Sequence, residues 1–371
     1  MGAASVCFVL PSAYGYFNDD VQAVGGGARQ LSLVSRELAE TFDVHFVVGD
    51  YGQAERDSYD GVTVHRSYRQ STNTPAWRKP MQLVRLFRAM RRADADLYLY
   101  RGRPFLAAVT YALARSLRSR WVYSLGNDSN IESDPDALPG PMRSLFERAL
   151  ADADALVAQT EAQRRGLHDR FGVSSTVIPS GYPLAEDIRP QQNREYFLWV
   201  GRLDRDQKRP HYLLDIAAAI PDEAFEVVGP PGQDSEYTER IVERAQSLDN
   251  VTYRGSVDPD AIHSYFRDAK ALVNTSAYEG FPSTFIEAWR YDTPVLSLSV
   301  PPSRYTVEAA DAGFTDGDLD RLTGLVRAAA DDPDRRAELS RPTYEYFTSE
   351  LTLDVITERY RSLLERVLQS E

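Results

Sequence analysis

Residues 279–287 read Glu279-Gly280-Phe281-Pro282-Ser283-Thr284-Phe285-Ile286-Glu287, two carboxylates eight positions apart across a loop-to-helix junction. Pro282 fits the first position of a helix, where its missing N–H costs nothing. The amides of Ser283 and Thr284 then lack partners within the helix. Together with the positive end of the helix dipole they form an anion site suited to phosphate. Glu279 lies on the loop side of that site. Glu287 lies a turn or more inside, where a carboxylate accepts two hydrogen bonds from a vicinal diol. One phosphate cradle between two hydroxyl-binding carboxylates suits a nucleotide sugar, which carries a sugar on each side of its phosphates. The helix dipole alone also favours acidic residues near helix starts, so the segment gains its force from context.

A second segment supplies that context. The apolar run Tyr196–Val200 is followed by Gly201-Arg202-Leu203-Asp204-Arg205-Asp206-Gln207-Lys208. Glycine at the carboxyl end of a strand permits close ligand approach, and Arg202 and Lys208 place two cations beside it. Each charge-assisted hydrogen bond to a diphosphate contributes roughly 1.5–3 kcal/mol. Taken alone, the loop could equally be a solvated one whose cations pair with Asp204 and Asp206.

The elements that must position these residues follow from alternating apolar runs. In the first half the spacing predicts strands at Val6–Leu10, Val44–Val48, Val62–Arg66, Leu97–Tyr100, Trp121–Ser124 and Ala155–Gln159. Helical patterns intervene over 28–41 and near 80–92, 104–118 and 141–151. The second half repeats the theme, with strands at Tyr196–Val200, Phe225–Val228, Val251–Tyr253, Ala271–Asn274 and Val295–Leu298. Helices are predicted there near 210–219, 236–246 and 260–268. Strand and helix in succession imply α/β domains with mainly parallel sheets. At 371 residues the chain suits two of them. We expect residues 1–183 to form the first domain, 184–193 a linker at the end of the stretch Ile178–Asn193, which is rich in Pro, Gly and polar residues, and 194–352 the second domain. A final helix, within 353–371, is expected to pack back on the first domain. Two doubly wound domains would face each other across a cleft, with ligands at the carboxyl ends of the strands.

Together the two segments closely resemble the retaining GT-B glycosyltransferases of family four, and the resemblance extends over nearly the whole chain. It is strongest over 196–208 and 251–295. It implies that Gly201, Arg202 and Lys208 meet the donor diphosphate, and that Glu279 meets the donor sugar and Glu287 the ribose hydroxyls. Gly280, Phe281, Pro282, Ser283 and Thr284 would line the donor site between them. The run Val251-Thr252-Tyr253-Arg254-Gly255 would bring backbone near Arg254 to the nucleobase. Gly25-Gly26-Gly27 matches the family's glycine loop on the acceptor side, although a triple glycine also serves as a flexible helix start. The implied reaction moves a sugar from a nucleotide-sugar donor to a hydroxyl acceptor with retained anomeric configuration. The acceptor class would be a glycan or lipid-linked glycan in cell-surface polysaccharide or glycoprotein assembly.

One departure stands out. Many members carry a histidine after the strand matching Trp121–Ser124, whereas this chain reads Leu125-Gly126-Asn127-Asp128. Asn127 or Asp128 would take over that role, or the role is not needed. His45, His65, His168, His211 and His263 are read as structural or surface residues. The departure keeps open a silent glycan-binding subunit, and a sugar-nucleotide epimerase or hydrolase is the alternative enzyme. No cofactor is expected. Asp-x-Asp pairs recur at 94/96, 134/136, 152/154, 204/206, 258/260 and 316/318, a frequency that points to acidic composition rather than a metal site.

Composition narrows the partners. The net charge of −13 resides in the second half, since residues 1–190 carry 22 basic and 22 acidic side chains. Residues 61–120 hold 13 basic side chains against Asp94 and Asp96 alone. Within them, 77–92 mixes arginines with large apolar groups at helical spacing, as a segment lying on an anionic membrane surface would. A helix that buries its apolar stripe on a sheet and solvates the rest has the same composition. No recognition motif for nucleic acid accompanies the charge. The single cysteine, Cys7, falls in the first strand, which suits a reducing cytoplasm. The expected location is therefore cytoplasmic, with peripheral attachment to the inner membrane face as an extension.

Overall fold

The computed structural model describes residues 3–21, 25–69, 79–258 and 261–370. It divides into two compact units, one formed by Met1–Gly181 with Leu353–Glu371 and the other by Tyr182–Thr352.

The first unit runs β1 (Ser5–Val9), α1 (Gly26–Leu38), β2 (Asp43–Val48), β3 (Arg56–Tyr59), β4 (Val62–Arg66), α2 (Lys79–Ala93), β5 (Leu97–Arg101) and α3 (Pro104–Ser116). It continues with β6 (Arg120–Ser124), α4 (Ser129–Glu132), α5 (Gly140–Ala151), β7 (Ala155–Ala158), α6 (Glu161–Phe171) and β8 (Thr176–Val177). Eight strands form one sheet in the order β3-β4-β2-β1-β5-β6-β7-β8. Every pairing in it is parallel except β3 with β4. β1 and β5 are buried along almost their whole length, because helices cover both faces of a parallel sheet and no strand face meets water.

The second unit runs β9 (Tyr196–Val200), α7 (Pro210–Ala219), β10 (Phe225–Val228), α8 (Ser235–Gln246), β11 (Val251–Gly255), α9 (Ile262–Asp268) and β12 (Ala269–Asn274). It continues with α10 (Ser283–Arg290), β13 (Val295–Ser297), α11 (Leu319–Ala330) and α12 (Pro333–Glu350). Its five parallel strands lie in the order β11-β10-β9-β12-β13. The central strand β9 sends Phe197 and Trp199 into a core shared with Leu213, Val227 and Val273. Both sheets reverse strand order beside their first strand, which opens a crevice at the carboxyl ends there.

One boundary differs from the sequence expectation. Residues 184–193 do not stand apart as a linker but belong to the second unit. Gln191 donates to Asp292 O at 2.7 Å, and the buried Arg194 donates to Ala269 O at 3.1 Å and Tyr291 O at 2.7 Å. The polypeptide then returns, and α13 (Leu353–Gln369) packs on α1, sharing a core in which Ile356, Tyr360 and Leu364 meet Leu31, Val34 and Leu38.

Candidate functional site: a charged ring at the strand ends of the second unit

β9 ends at Gly201, and the loop that follows is pressed tightly against its neighbour. A Cβ on Gly229, which has φ +153°, would lie 1.8 Å from Gly201 O. Only glycine lets the loop after β10 approach that closely. Asp204 organises the β9 loop by accepting from the amides of Asp206 at 3.1 Å and Gln207 at 2.8 Å. Burial raises the Asp204 pKa, but the Gln207 amide and the Arg202 guanidinium outweigh it, so the carboxyl titrates below its ordinary value. Arg202 leans on Asp204 at 3.3 Å and is otherwise exposed to solvent.

The loop closes on Lys208, whose ammonium forms an ion pair with Glu279. Glu279 also accepts from Ser276 Oγ at 2.7 Å, and its backbone carbonyl accepts from Tyr305 Oη at 3.1 Å. Thr275 Oγ1 donates to Lys208 O at 2.8 Å and receives the Trp199 indole N–H at 2.9 Å. The basic loop after β9 and the acidic loop after β12 are therefore one bonded structure. Arg209 adds a further tie. It sits in the left-handed region at φ 51° while its guanidinium donates to Thr275 O and Ser299 Oγ, both at 2.8 Å.

Helix α10 begins directly behind this ring. Pro282 occupies the N-cap in extended conformation, one residue earlier than expected, and no side chain caps the helix. The amides of Ser283 and Thr284 in the first turn find no protein acceptor among the described residues. Glu287 lies in the second turn, 4% exposed. His263 Nδ1 of α9 approaches it to 3.5 Å and Arg290 Nη1 to 3.8 Å. His263 and Arg290 line a recess with Leu184, Asp187 and Arg267, so the partners of this buried carboxylate are reached from solvent. His263 is thus a structural neighbour of Glu287. Nothing in its local sequence signals the pairing, because Glu287 lies on another element. At Arg254, where backbone was expected to meet the nucleobase, the guanidinium is engaged elsewhere and grips Glu226 through two hydrogen bonds of 2.7 Å.

In the first unit, Gly25 caps α1 at φ 94° and Gly26 and Gly27 form its first turn. A Cβ on Gly27 would come within 3.3 Å of Arg101 Nε. Arg101, at the end of β5, is buried and donates to Gln159 Oε1 and, at 3.5 Å, to Ser180 Oγ. Sequence reasoning passed over this residue, although a strand-end Arg followed by Gly102 is a visible cue. Leu125, where the histidine was expected, is fully buried in the core. Asn127 accepts from Ser129 Oγ at 2.7 Å and Asp128 from Gln163 Nε2 at 2.9 Å, so both help to hold the loop.

The Asp-x-Asp pairs serve local structure. Asp96 accepts from Ser5, Asp152 from Tyr111, Asp154 from the Trp121 amide, and Asp318 caps α11. Among the described residues no three His, Cys, Asp or Glu side chains cluster to hold a metal. Asp260 and residues 77 and 78 fall outside the described residues.

Residues 24–186 match Glycosyltransferase Family 4, and residues 184–346 match Glycosyl transferases group 1. The chain belongs to this glycosyltransferase family. Among its curated relatives, the D-inositol 3-phosphate glycosyltransferase of Rhodococcus erythropolis is 27% identical over 248 residues, covering 58% of this chain and 55% of that protein. The 2-deoxystreptamine N-acetyl-D-glucosaminyltransferase of Streptomyces fradiae is 27% identical over 243 residues, covering 62% and 51%. The chain thus spans about half the length of the curated relatives it matches. Sucrose-phosphate synthase from Thermosynechococcus elongatus superposes with a TM-score of 0.77 at 18% identity, covering 99% of this chain and 100% of that one. Anabaena HepE in complex with UDP and glucose superposes at 0.75 with 16% identity, covering 98% and 100%. These likenesses show the fold of the family, GT-B, with two parallel-sheet Rossmann-like domains.

Proposed function

We propose that this family member transfers a sugar from a nucleotide-sugar donor to a hydroxyl acceptor with retention of configuration, and needs no metal. The carrying observation is the Arg202–Asp204 and Lys208–Glu279 pairs near the open amides of α10, with Glu287 one turn deeper. A donor diphosphate would meet two cations and a helix N-terminus. The Lys208–Glu279 pair neutralises Glu279, which lowers the repulsion an incoming diphosphate would feel. In a same-face mechanism the departing diphosphate itself accepts the acceptor's proton. The protein then acts by stabilising leaving-group charge from fixed positions, with Glu279 orienting the sugar and Glu287 holding the ribose. Glu279 is already fixed by Ser276 and Lys208, as that positioning role requires. The UDP and glucose in the structure of HepE are of the proposed donor class.

A second reading is a silent binding subunit. It is favoured by the buried Leu125 and by the loop hydrogen bonds that engage Asn127 and Asp128. Incubation with a panel of UDP-, GDP- and ADP-sugars separates the two. Slow nucleotide release, accelerated by a glycan or lipid-linked acceptor and unaffected by EDTA, is the expected result. Binding without turnover supports the silent subunit. Loss of transfer in EDTA, restored by manganese, overturns metal independence, and an inverted anomer in the product overturns retention. We place the reaction in the cytoplasm, a reading supported by the single, buried and unbridged Cys7. No described helix is long and apolar enough to cross a membrane.

A further inference from the structure

We propose that the outward face of α2 docks the protein on an anionic lipid bilayer. α2 buries Leu86, Ala89, Met90 and Ala93 against the sheet. The opposite face leaves Met81 57% and Val84 44% exposed, and Leu83, 42% exposed, lies on the flank in the same turn. A helix that merely solvates its outer face has no reason to present Met81 and Val84 there. Spaced three and four residues along from Met81 and Val84, on the same face, stand the exposed Arg85, Arg88 and Arg91. Arg85 reaches only Asp50, at 3.9 Å. Arg88 and Arg91 have no carboxylate within ion-pair distance among the described residues.

The combination selects the occupant. Apolar side chains at the centre of a cationic face suit an interface where methylenes enter the acyl boundary and guanidinium groups stay among lipid phosphates. Nucleic acid would use the charge but gain little from Met81 and Val84. Charge complementarity also fixes orientation. On a chain of net charge −13, residues 61–120 carry 13 basic against two acidic side chains, so an anionic surface is drawn to this region. The attraction is electrostatic and therefore short-ranged, falling off within about 8 Å at physiological salt.

Vesicle co-sedimentation with the full chain tests this without reference to transfer activity. We expect binding to phosphatidylcholine vesicles containing phosphatidylglycerol at low salt, little to phosphatidylcholine alone, and release as salt rises. Arg88→Glu with Arg91→Glu should lower partitioning at least about tenfold, each cation near an anionic surface contributing roughly fivefold. Met81→Ser with Val84→Ser should also lower it about tenfold, with thermal unfolding unchanged because both side chains are exposed. Failure of the native chain to sediment with anionic vesicles overturns the proposal. So does binding undiminished by the arginine reversals, or binding to RNA that competes with vesicles and ignores the apolar substitutions.

Discussion

The strand ends of the two units use arginine and lysine in opposite ways. In the second unit, Lys208 pairs with the buried Glu279, and the half-exposed Arg202 pairs with Asp204. In the first, Arg101 is buried beneath Gly27 and shares neutral oxygens with Gln159 and Ser180. A charge that lies in solvent beside a single carboxylate, as Arg202 does, can be lent to a ligand at small cost. A charge locked among buried amides and hydroxyls cannot leave without stranding them. The comparison assigns charge chemistry to the second unit and shape to the first.

The largest effect should separate those roles. Arg202→Ala should lower kcat/KM between about tenfold and a thousandfold, from the few kcal/mol of leaving-group stabilisation removed, with little change in the unfolding midpoint because its side chain lies about half in solvent. Arg101→Ala should instead cost about 1–3 kcal/mol of stability, read by urea titration. An Arg101 variant that loses activity as severely while unfolding normally would break the comparison. Next in size is Gly229→Ala. Its Cβ would collide with Gly201 O, and the expected loss of roughly 3 kcal/mol should fall on the second unit, so its buried Trp199 and Trp289 should report an earlier unfolding transition.

A pH experiment reaches the first unit separately. His45 and His65 form a buried pair at 3.0 Å between β2 and β4. Burial, then the charges of His45, Arg56 and Arg92, bring the His65 pKa down from 6.5 to about 4. The folded protein refuses a proton that the unfolded chain accepts below about pH 6.5. Stability from this residue is therefore full above that pH and declines as pH falls toward 4, by about 3 kcal/mol at most. Urea midpoints at several pH values should show a steeper acid loss in the native chain than in His65→Val, and equal slopes would refute the assignment. The smallest change is expected from Arg209→Gly. Relief of left-handed strain, about 1 kcal/mol, nearly offsets the loss of the hydrogen bonds to Thr275 and Ser299. A stability change beyond about 1 kcal/mol, measured by urea titration, would show that one side of that balance dominates.

Much of this was legible in the residues. Continuous apolar runs such as Tyr196–Val200 mark strands covered on both faces, and the eight-residue interval from Glu279 to Glu287 marks the start of α10. Other elements carry no such signal. β3 is an exposed edge strand of Arg, Asp, Ser and Tyr whose pairing is decided by β4. α12 contains Pro342, which reads locally as a break, yet the helix continues because Leu339, Thr343 and Phe347 are held in the core. Partner choice was the least visible feature. Composition shows that Lys208 needs an anion but not that Glu279, 71 positions away, rather than Asp204 or Asp206, supplies it. The same holds for His263 and Glu287, which only the packing of α9 against α10 brings together.

The return of α13 to the first unit has a consequence in time. During synthesis, residues 1–181 emerge well before the helix that covers Leu31, Val34 and Leu38. At about 5–20 residues per second, that apolar face waits roughly ten to thirty seconds, while the second unit emerges whole. The unit made first is thus completed last. A chaperone that recognises exposed leucine and valine on a nascent helix would find its window there.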